Sequence, residues 1–239
     1  LYPSKKQLLI MDEENKWGNV YQISRLVDTF FEDRDGQKVI SLEYINNPVP
    51  KFRPLRKYYH GPTDAFTNVT FGEYLDCLRL FLDFSATGNL NLLYTIAAIL
   101  YRPAKRFRWL RAATGDVRVP YNPNDVEKRA DTLKYAPMGF IYGVYLLFAS
   151  FQKYITTAVV PWAGRELDLS ILFNDDGSGQ LEAVPGIGMD GLVYALAESG
   201  EFGDKDKVRN VSLWEILIRL YDLKKKDLDY KLNDKSNTK

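Results

Sequence analysis

A shortage of cysteine and histidine limits how this chain can be stabilised. Its 239 residues contain one cysteine, Cys77, and one histidine, His60. A single cysteine cannot form an internal disulfide, and a structural zinc site needs several cysteine or histidine ligands. The sequence therefore argues against disulfide-rich and zinc-stabilised folds and leaves a hydrophobic core as the main source of stability. The lone cysteine also fits a reducing compartment.

Apolar residues at helical spacing predict a mainly α-helical protein with a helical core. The run Thr70–Glu73 has the capping-box pattern and is expected to open a helix that ends near Phe84. Two further apolar helices are predicted over residues 90–101 and 138–157. The buried face of the first helix is predicted to carry Tyr74, Leu75, Leu78, Phe81 and Leu82. The residues expected to be buried together in the core are Leu78, Phe81, Ile96, Leu100, Leu147 and Phe148.

Changes in composition along the chain predict three consecutive parts, with small β elements in the N- and C-terminal parts. Residues 1–62 form an N-terminal segment, residues 63–160 the helical core, and residues 161–239 a C-terminal α+β segment with a frayed tail. The elements predicted in the outer parts are a helix over 17–31, a turn over 32–36, a strand over 39–45, a loop rich in proline and basic residues over 46–62, a strand over 167–173, and helices over 191–199 and 212–226.

Residues 135–152 form a window of 18 residues without a charge. A length of about 18 residues is the lower limit for a helix that spans a bilayer. Two interpretations follow: a buried core helix or a membrane-associated segment. Pro137, Gly139, Gly143, the tyrosines and Gln152 dilute the apolar character of this window. We therefore expect a core helix, and a membrane contact is the less favoured alternative.

Motifs that could carry chemistry lack the context that their chemistry needs. Residues 186–191 spell G-x-G-x-x-G, but too little chain follows for the rest of a dinucleotide-binding domain. Residues 174–179 resemble a calcium loop without two of its ligands. Two acid–base pairs can be imagined, His60 with Asp64 and Glu166 with Asp168, but no nucleophile signature accompanies them. We expect no enzymatic activity, no catalytic residue, no cofactor and no metal site.

A basic cluster with an embedded tryptophan is the main candidate for binding a partner. Arginine and tryptophan are frequent at interface hot spots. The chain has 32 basic and 31 acidic residues, so it lacks the basic excess typical of a nucleic-acid-binding protein. A protein partner is therefore preferred, and nucleic acid bound by residues 102–111 is the alternative. The candidate partner-binding residues are Arg102, Lys105, Arg106, Arg108, Trp109 and Arg111.

Several short runs resemble proteins that tailed bacteriophages encode near their tail genes, including tail assembly chaperone-like proteins. These runs are Thr70–Tyr74, Ala97–Pro103, Gly143–Phe148 and Leu196–Gly203. The resemblance covers about residues 58–223. It implies a non-enzymatic virion or assembly protein of the tail, neck or baseplate region that contacts other phage structural proteins or copies of itself. It also implies a location in the virion, or in the host cytoplasm during assembly.

Overall fold

The computed structural model describes residues 31–41, 43–106, 115–162, 164–173 and 190–237. The chain divides into two compact units, residues 1–42 and residues 43–239. The predicted mainly α-helical class with small β elements is confirmed. The described helices are α1 (Phe71–Thr87), α2 (Leu90–Leu100), α3 (Val126–Leu133), α4 (Met138–Thr157), α5 (Asp190–Glu198), α6 (Lys205–Asn210) and α7 (Leu213–Asn237).

The described strands form two hairpins and one small sheet, and all of these strand pairs are antiparallel. Strands β1 and β2 form a hairpin in the first unit, strands β3, β4 and β5 form a three-stranded sheet, and strands β6 and β7 form a second hairpin. Their bounds are β1 (Phe31–Arg34), β2 (Gln37–Ile40), β3 (Lys51–Phe52), β4 (Tyr59–His60), β5 (Arg102–Pro103), β6 (Val159–Trp162) and β7 (Arg165–Asp168).

The hairpin of the first unit corrects two predictions. Asp35 and Gly36 both have positive φ angles, 53° and 77°, and they form the turn between β1 and β2. An Asp-Gly pair fits the turn that best matches the twist of two paired strands. Pairing therefore extends back to Phe31, so the predicted turn over 32–36 is shorter and the predicted strand over 39–45 ends at Ile40. The predicted helix over 17–31 lies outside the described residues except for Phe31, which is in β1.

Helix α2 lies at the centre of the larger unit and contacts α1, α3 and α4. Its sequence is apolar on nearly every side, as expected of a helix with neighbours all round. Ile96 and Leu100 are fully buried, and Leu147 and Phe148 of α4 pack in the same core. The predicted core is therefore confirmed for these four residues. The other two predicted core residues, Leu78 and Phe81, are only half-buried and pack against this core.

The uncharged window forms a core helix, as predicted. Helix α4 places one face in the interior, with its buried apolar side chains between Ile141 and Ile155. Phe151 stacks on Phe66 with ring centroids 4.3 Å apart and meets Trp214 of α7 edge-on. Within the part of the chain that is described, no helix combines the length and apolar character needed to cross a membrane.

Helices α1 and α7 begin side by side. The Thr70 side chain accepts a hydrogen bond from the Glu73 amide, which confirms the predicted N-cap and start of α1, and the Glu73 carboxylate accepts from the Thr70 hydroxyl at 3.3 Å. Thr70 also forms a β-bridge with Ser212, which precedes the first residue of α7. Gly72 is needed at this junction, because a Cβ atom there would lie 2.9 Å from the carbonyl oxygen of Arg209. The two helix starts are therefore held together by backbone pairing at close range.

Residues 43–62 belong to the same compact unit as the helical core, and the predicted three-part division stays a prediction. Asn47 is buried. Its backbone N–H donates to the Asp64 carboxylate at 2.8 Å, and its side-chain amide donates to the Pro62 carbonyl at 2.7 Å. The Tyr101 hydroxyl lies 2.8 Å from the carbonyl oxygen of Val49. These bonds tie the proline-rich loop to the end of α2.

Other predictions near the helix ends need correction. Leu82 of α1 was expected on the buried face and is 49% exposed. The predicted strand over 167–173 is β7 followed by a 3₁₀ turn over Leu169–Leu172, since the Asp168 carboxylate accepts from the Ser170 amide. Helix α7 continues to Asn237 with an i,i+4 ion pair between Asp227 and Lys231, so the predicted end near residue 226 is too early. Helix α6 was not predicted.

Replacing Leu100 by alanine should destabilise the protein by about 2–5 kcal/mol, because the side chain is fully buried and its removal leaves a cavity. Leu82→Ala is the matched control: the same atoms are removed from a half-exposed site of the neighbouring helix, and a smaller effect is expected. Urea unfolding followed by circular dichroism measures both. Equal losses from the two variants would contradict the packing described here.

Candidate functional site

A buried network of ion pairs lies at the N-terminus of α1. One guanidinium nitrogen of Arg102 is 2.8 Å from Glu73 Oε1, and one of Arg118 is 3.4 Å from Glu73 Oε2. Arg118 Nε is 3.1 Å from the Asp116 carboxylate, and Arg102 reaches the same carboxylate at 3.7 Å. Glu73 and both arginines have side chains that are at most 1% exposed. The network contains two carboxylates and two guanidinium groups, so its charges balance.

Local structure brings these side chains together from three segments. Glu73 is in the first turn of α1, where the positive end of the helix dipole also favours a carboxylate. Arg102 is in β5, which comes shortly after α2. Arg118 forms an isolated β-bridge with Ala104, the residue after β5, and therefore lies beside the same strand. Arg118 also donates to the Leu100 carbonyl at 3.0 Å. The network therefore joins α1, the end of α2 and the segment around residue 118.

The position of Arg102 contradicts its predicted role as a surface anchor. Its side chain is 1% exposed and donates to the Ile99 carbonyl at 3.3 Å in addition to pairing with Glu73. Burial lowers the pKa of the Arg102 guanidinium, and the Glu73 carboxylate opposes that change. An arginine that is enclosed in this way cannot contact a partner, so Arg102 contributes to the fold and is removed from the candidate interface.

A second polar cluster joins α1 to α6. The Asp76 carboxylate accepts from the Tyr121 hydroxyl and from the Arg209 guanidinium, both at 2.6 Å. Burial raises the pKa of Tyr121, and the hydrogen bond to Asp76 raises it further. Tyr121 therefore remains a neutral donor at physiological pH. We interpret this cluster as structural, since each group holds a different element in place.

The other predicted partner-binding residues have different outcomes. The Lys105 ammonium donates to the Asp116 carbonyl at 2.9 Å and is half-buried, whereas Arg106 is exposed. Arg108, Trp109 and Arg111 lie outside the described residues, so their predicted role stays a prediction. Lys105 and Arg106 are therefore the part of the predicted cluster that the structure places at or near the surface.

The structure describes only part of the short motifs that lack the context for chemistry. Asp64 accepts a backbone hydrogen bond, and Asp168 caps a 3₁₀ turn. Gly191 is in α5, while Gly186, Gly188 and the loop over 174–179 lie outside the described residues. Within the described ranges, no three acidic, histidine or cysteine side chains are placed to hold a metal ion.

Strand register brings a second set of cations to the same end of the three-stranded sheet as Lys105 and Arg106. Tyr59 pairs with Phe52 on one side and with Pro103 on the other. The loop over 53–58 and the segment over 104–106 therefore leave the sheet at one end. Residues 51–57 contain four basic side chains and no acidic one, and they belong to the predicted basic loop but not to the predicted interface. Those four are Lys51, Arg53, Arg56 and Lys57.

A cleft of about 500 Å³ opens beside this end of the sheet. Helix α3 supplies one wall with Lys128, Arg129 and Thr132, which share one helix face, and Asp125 directly before the helix adds to it. The opposite wall comes from the loop over 53–58 and from strands β4 and β5. The residues that line this basic cleft are Leu55, Arg56, Lys57, Tyr59, Pro103, Val119, Asp125, Lys128, Arg129 and Thr132.

The buried and the exposed cations of the basic cleft differ in their partners. Arg129 is 6% exposed, donates to the Ala98 carbonyl at 3.0 Å and lies 3.7 Å from the Asp125 carboxylate. Arg56, Lys57 and Lys128 are exposed, and none of them forms an ion pair with another described residue. Arg129 and Asp125 balance each other, so the three exposed cations give the cleft its excess positive charge.

Replacing Glu73 by alanine should destabilise the protein by about 3–5 kcal/mol, because it leaves two buried guanidinium groups short of a carboxylate. Asp131→Ala is the control: it removes the carboxylate of an exposed ion pair with Lys134, and the unfolding midpoint should not change measurably. Thermal unfolding of both variants tests this. A Glu73→Ala protein as stable as the parent would contradict the importance of the network.

The thiol of Cys77 should react slowly in the folded protein. It is fully buried, and burial raises its pKa well above the ordinary value, with Glu73 and Asp76 adding to the rise. Because the thiolate is the reactive form, Ellman's reagent should modify the native chain slowly at pH 8 and the urea-unfolded chain rapidly, with one equivalent per chain. Rapid stoichiometric reaction of the folded protein would contradict this.

Comparisons of the chain with protein-family models, with curated proteins and with solved structures find no match. A functional argument for this protein therefore depends on the residues and distances described above. The basic cleft combines volume, exposed charge and apolar surface in one place.

Proposed function

We propose that this protein is a non-enzymatic virion or assembly protein of a tailed bacteriophage, which works in the tail, neck or baseplate region by contact with other proteins. The observation that carries the proposal is the basic cleft together with Lys105 and Arg106 at the same end of the sheet. Exposed cations beside apolar side chains are typical of protein interfaces, where they steer and orient an acidic partner. The partner is a phage structural protein or another copy of this chain.

The residues that resemble phage tail-region proteins support the proposal in a particular way. Within Ala97–Pro103, the first six residues are buried, and Arg102 belongs to the ion network. Buried residues determine a fold, whereas exposed residues choose the partner. The resemblance therefore concerns the scaffold, and the basic cleft is the surface by which this particular chain would select what it contacts.

Nucleic acid is the second candidate partner, and one observation favours it. Tyr58 is 47% exposed and lies between two cations, with Lys51 Nζ 4.0 Å and the Arg53 guanidinium 5.3 Å from its ring centroid. Exposed aromatic rings flanked by cations can stack on the bases of a single strand. The near balance of basic and acidic residues weighs against this candidate, since electrostatic attraction supplies most of non-specific binding.

Reversing charge at the basic end of the sheet should weaken assembly. The test compares a tagged parent chain with the double variant Arg56→Glu/Lys57→Glu during infection, and with Arg165→Glu, which changes an exposed arginine in β7. We expect the parent and Arg165→Glu chains to recover identified virion proteins or further copies of the chain, and the double variant to recover much less. Mass spectrometry and light scattering provide the readouts.

The same experiment separates the two candidate partners. Recovery of nucleic acid alone, with a yield that falls steeply as salt is added, would favour the nucleic-acid function and overturn the proposal. Equal recovery of virion proteins by the parent and the double variant would show that the contact lies elsewhere on the molecule. Circular dichroism of the double variant confirms that these exposed substitutions leave the helical fold intact.

A further inference from the structure

We infer that the basic cleft binds an acidic, extended segment of a partner protein, with one apolar side chain of that segment seated inside the cleft. This inference deepens the proposed function and rests on it. The carboxylates of the segment would face Arg56, Lys57 and Lys128 at the rim. Its apolar side chain would pack against the apolar wall, which consists of Leu55, Pro103 and Val119.

The charges of the basic cleft indicate an anionic occupant. Three exposed cations converge on the opening from two walls, and no described carboxylate neutralises them. The one acidic residue of the lining, Asp125, is directed to Arg129 at 3.7 Å. Bringing like charges together around a cleft is unfavourable unless an anion enters it, so the arrangement is complementary to a segment with two or three carboxylates.

Arg129 gives the cleft a fixed wall. Its Nε donates to the Ala98 carbonyl of α2 at 3.0 Å, and a terminal nitrogen donates to the Asn122 carbonyl at 3.3 Å. Since these bonds tie α3 to α2, the helix face that carries Lys128 is held in position before any partner arrives. A site that is already formed spends less binding energy on ordering itself.

The size and lining favour a peptide over a nucleic acid. A volume of about 500 Å³ is at the lower end of the range for ligand sites and suits a few side chains. The one aromatic residue of the lining, Tyr59, is 6% exposed, which leaves little of its ring for base stacking. The apolar wall instead matches an aliphatic or aromatic side chain next to carboxylates.

The test uses the full chain and fluorescein-labelled six-residue peptides in which Glu and Asp flank a central Leu, Phe or Tyr. Matched peptides replace the central residue by Ser and keep the charge. Fluorescence polarisation measures binding to the parent chain, to Lys57→Gln and Lys128→Gln, and to Arg165→Gln as a control outside the cleft. A labelled oligothymidylate of six nucleotides is the nucleic-acid probe.

We expect saturable binding of at least one apolar-centred peptide, weaker binding of its Ser counterpart, and a loss of about tenfold for each cleft variant but not for Arg165→Gln. Three results would overturn the inference: no saturable binding of any peptide, equal binding of the apolar and Ser peptides, or tighter binding of the oligothymidylate. Unfolding midpoints of the variants show that any loss reflects the cleft and not the fold.

The result of the peptide experiment can be told apart from the result of the recovery experiment during infection. Peptide binding without recovery of a virion protein or of further copies during infection would support the cleft and contradict the phage role. Recovery that depends on Arg56 and Lys57, without peptide binding, would support the contact function and contradict the acidic segment as its occupant. Each proposal can therefore fail while the other stands.

Discussion

The buried carboxylate of Glu73 is the interaction on which the larger unit depends. Two arginines that are separated from it by 29 and 45 residues of chain, Arg102 and Arg118, reach it in the interior. An unpaired charge in such a place costs several kcal/mol, so the three side chains must be buried together or not at all. The network therefore links the start of α1, the end of α2 and the segment around residue 118 into one cooperative structure.

The same network also determines what the surface can present. Because Arg102 is held by Glu73, strand β5 is fixed beside β4, and the residues that follow it emerge next to the loop over 53–58. Cations that are adjacent in the sequence are thereby sorted into two groups. Arg102 is neutralised inside the protein, whereas Arg106 is exposed at the surface. The overall charge of +1 conceals this separation.

The separation gives the proposed contact function a structural basis. A scaffold of apolar helices, closed by balanced ion pairs, carries the basic cleft on one side. Interfaces of this kind obtain specificity from the placement of charge and affinity from the apolar centre. In the basic cleft the pair of Arg129 and Asp125 supports the wall, and the exposed cations around it are the groups that the proposed acidic partner would contact.

The sequence by itself determined the three apolar helices α1, α2 and α4 and most of the core. Local signals suffice there: Thr70 as N-cap sets where α1 begins, and a high apolar content identifies α2 and α4 as core helices. Sequence spacing could not show which cations are buried, because pairing between Glu73 and Arg102 is a long-range contact with no local pattern. The same limit made Arg102 look like a surface anchor and left the four basic residues over 51–57 outside the predicted interface. Only the tertiary structure decided these points, since burial and strand register assign each charge to the interior or to the cleft.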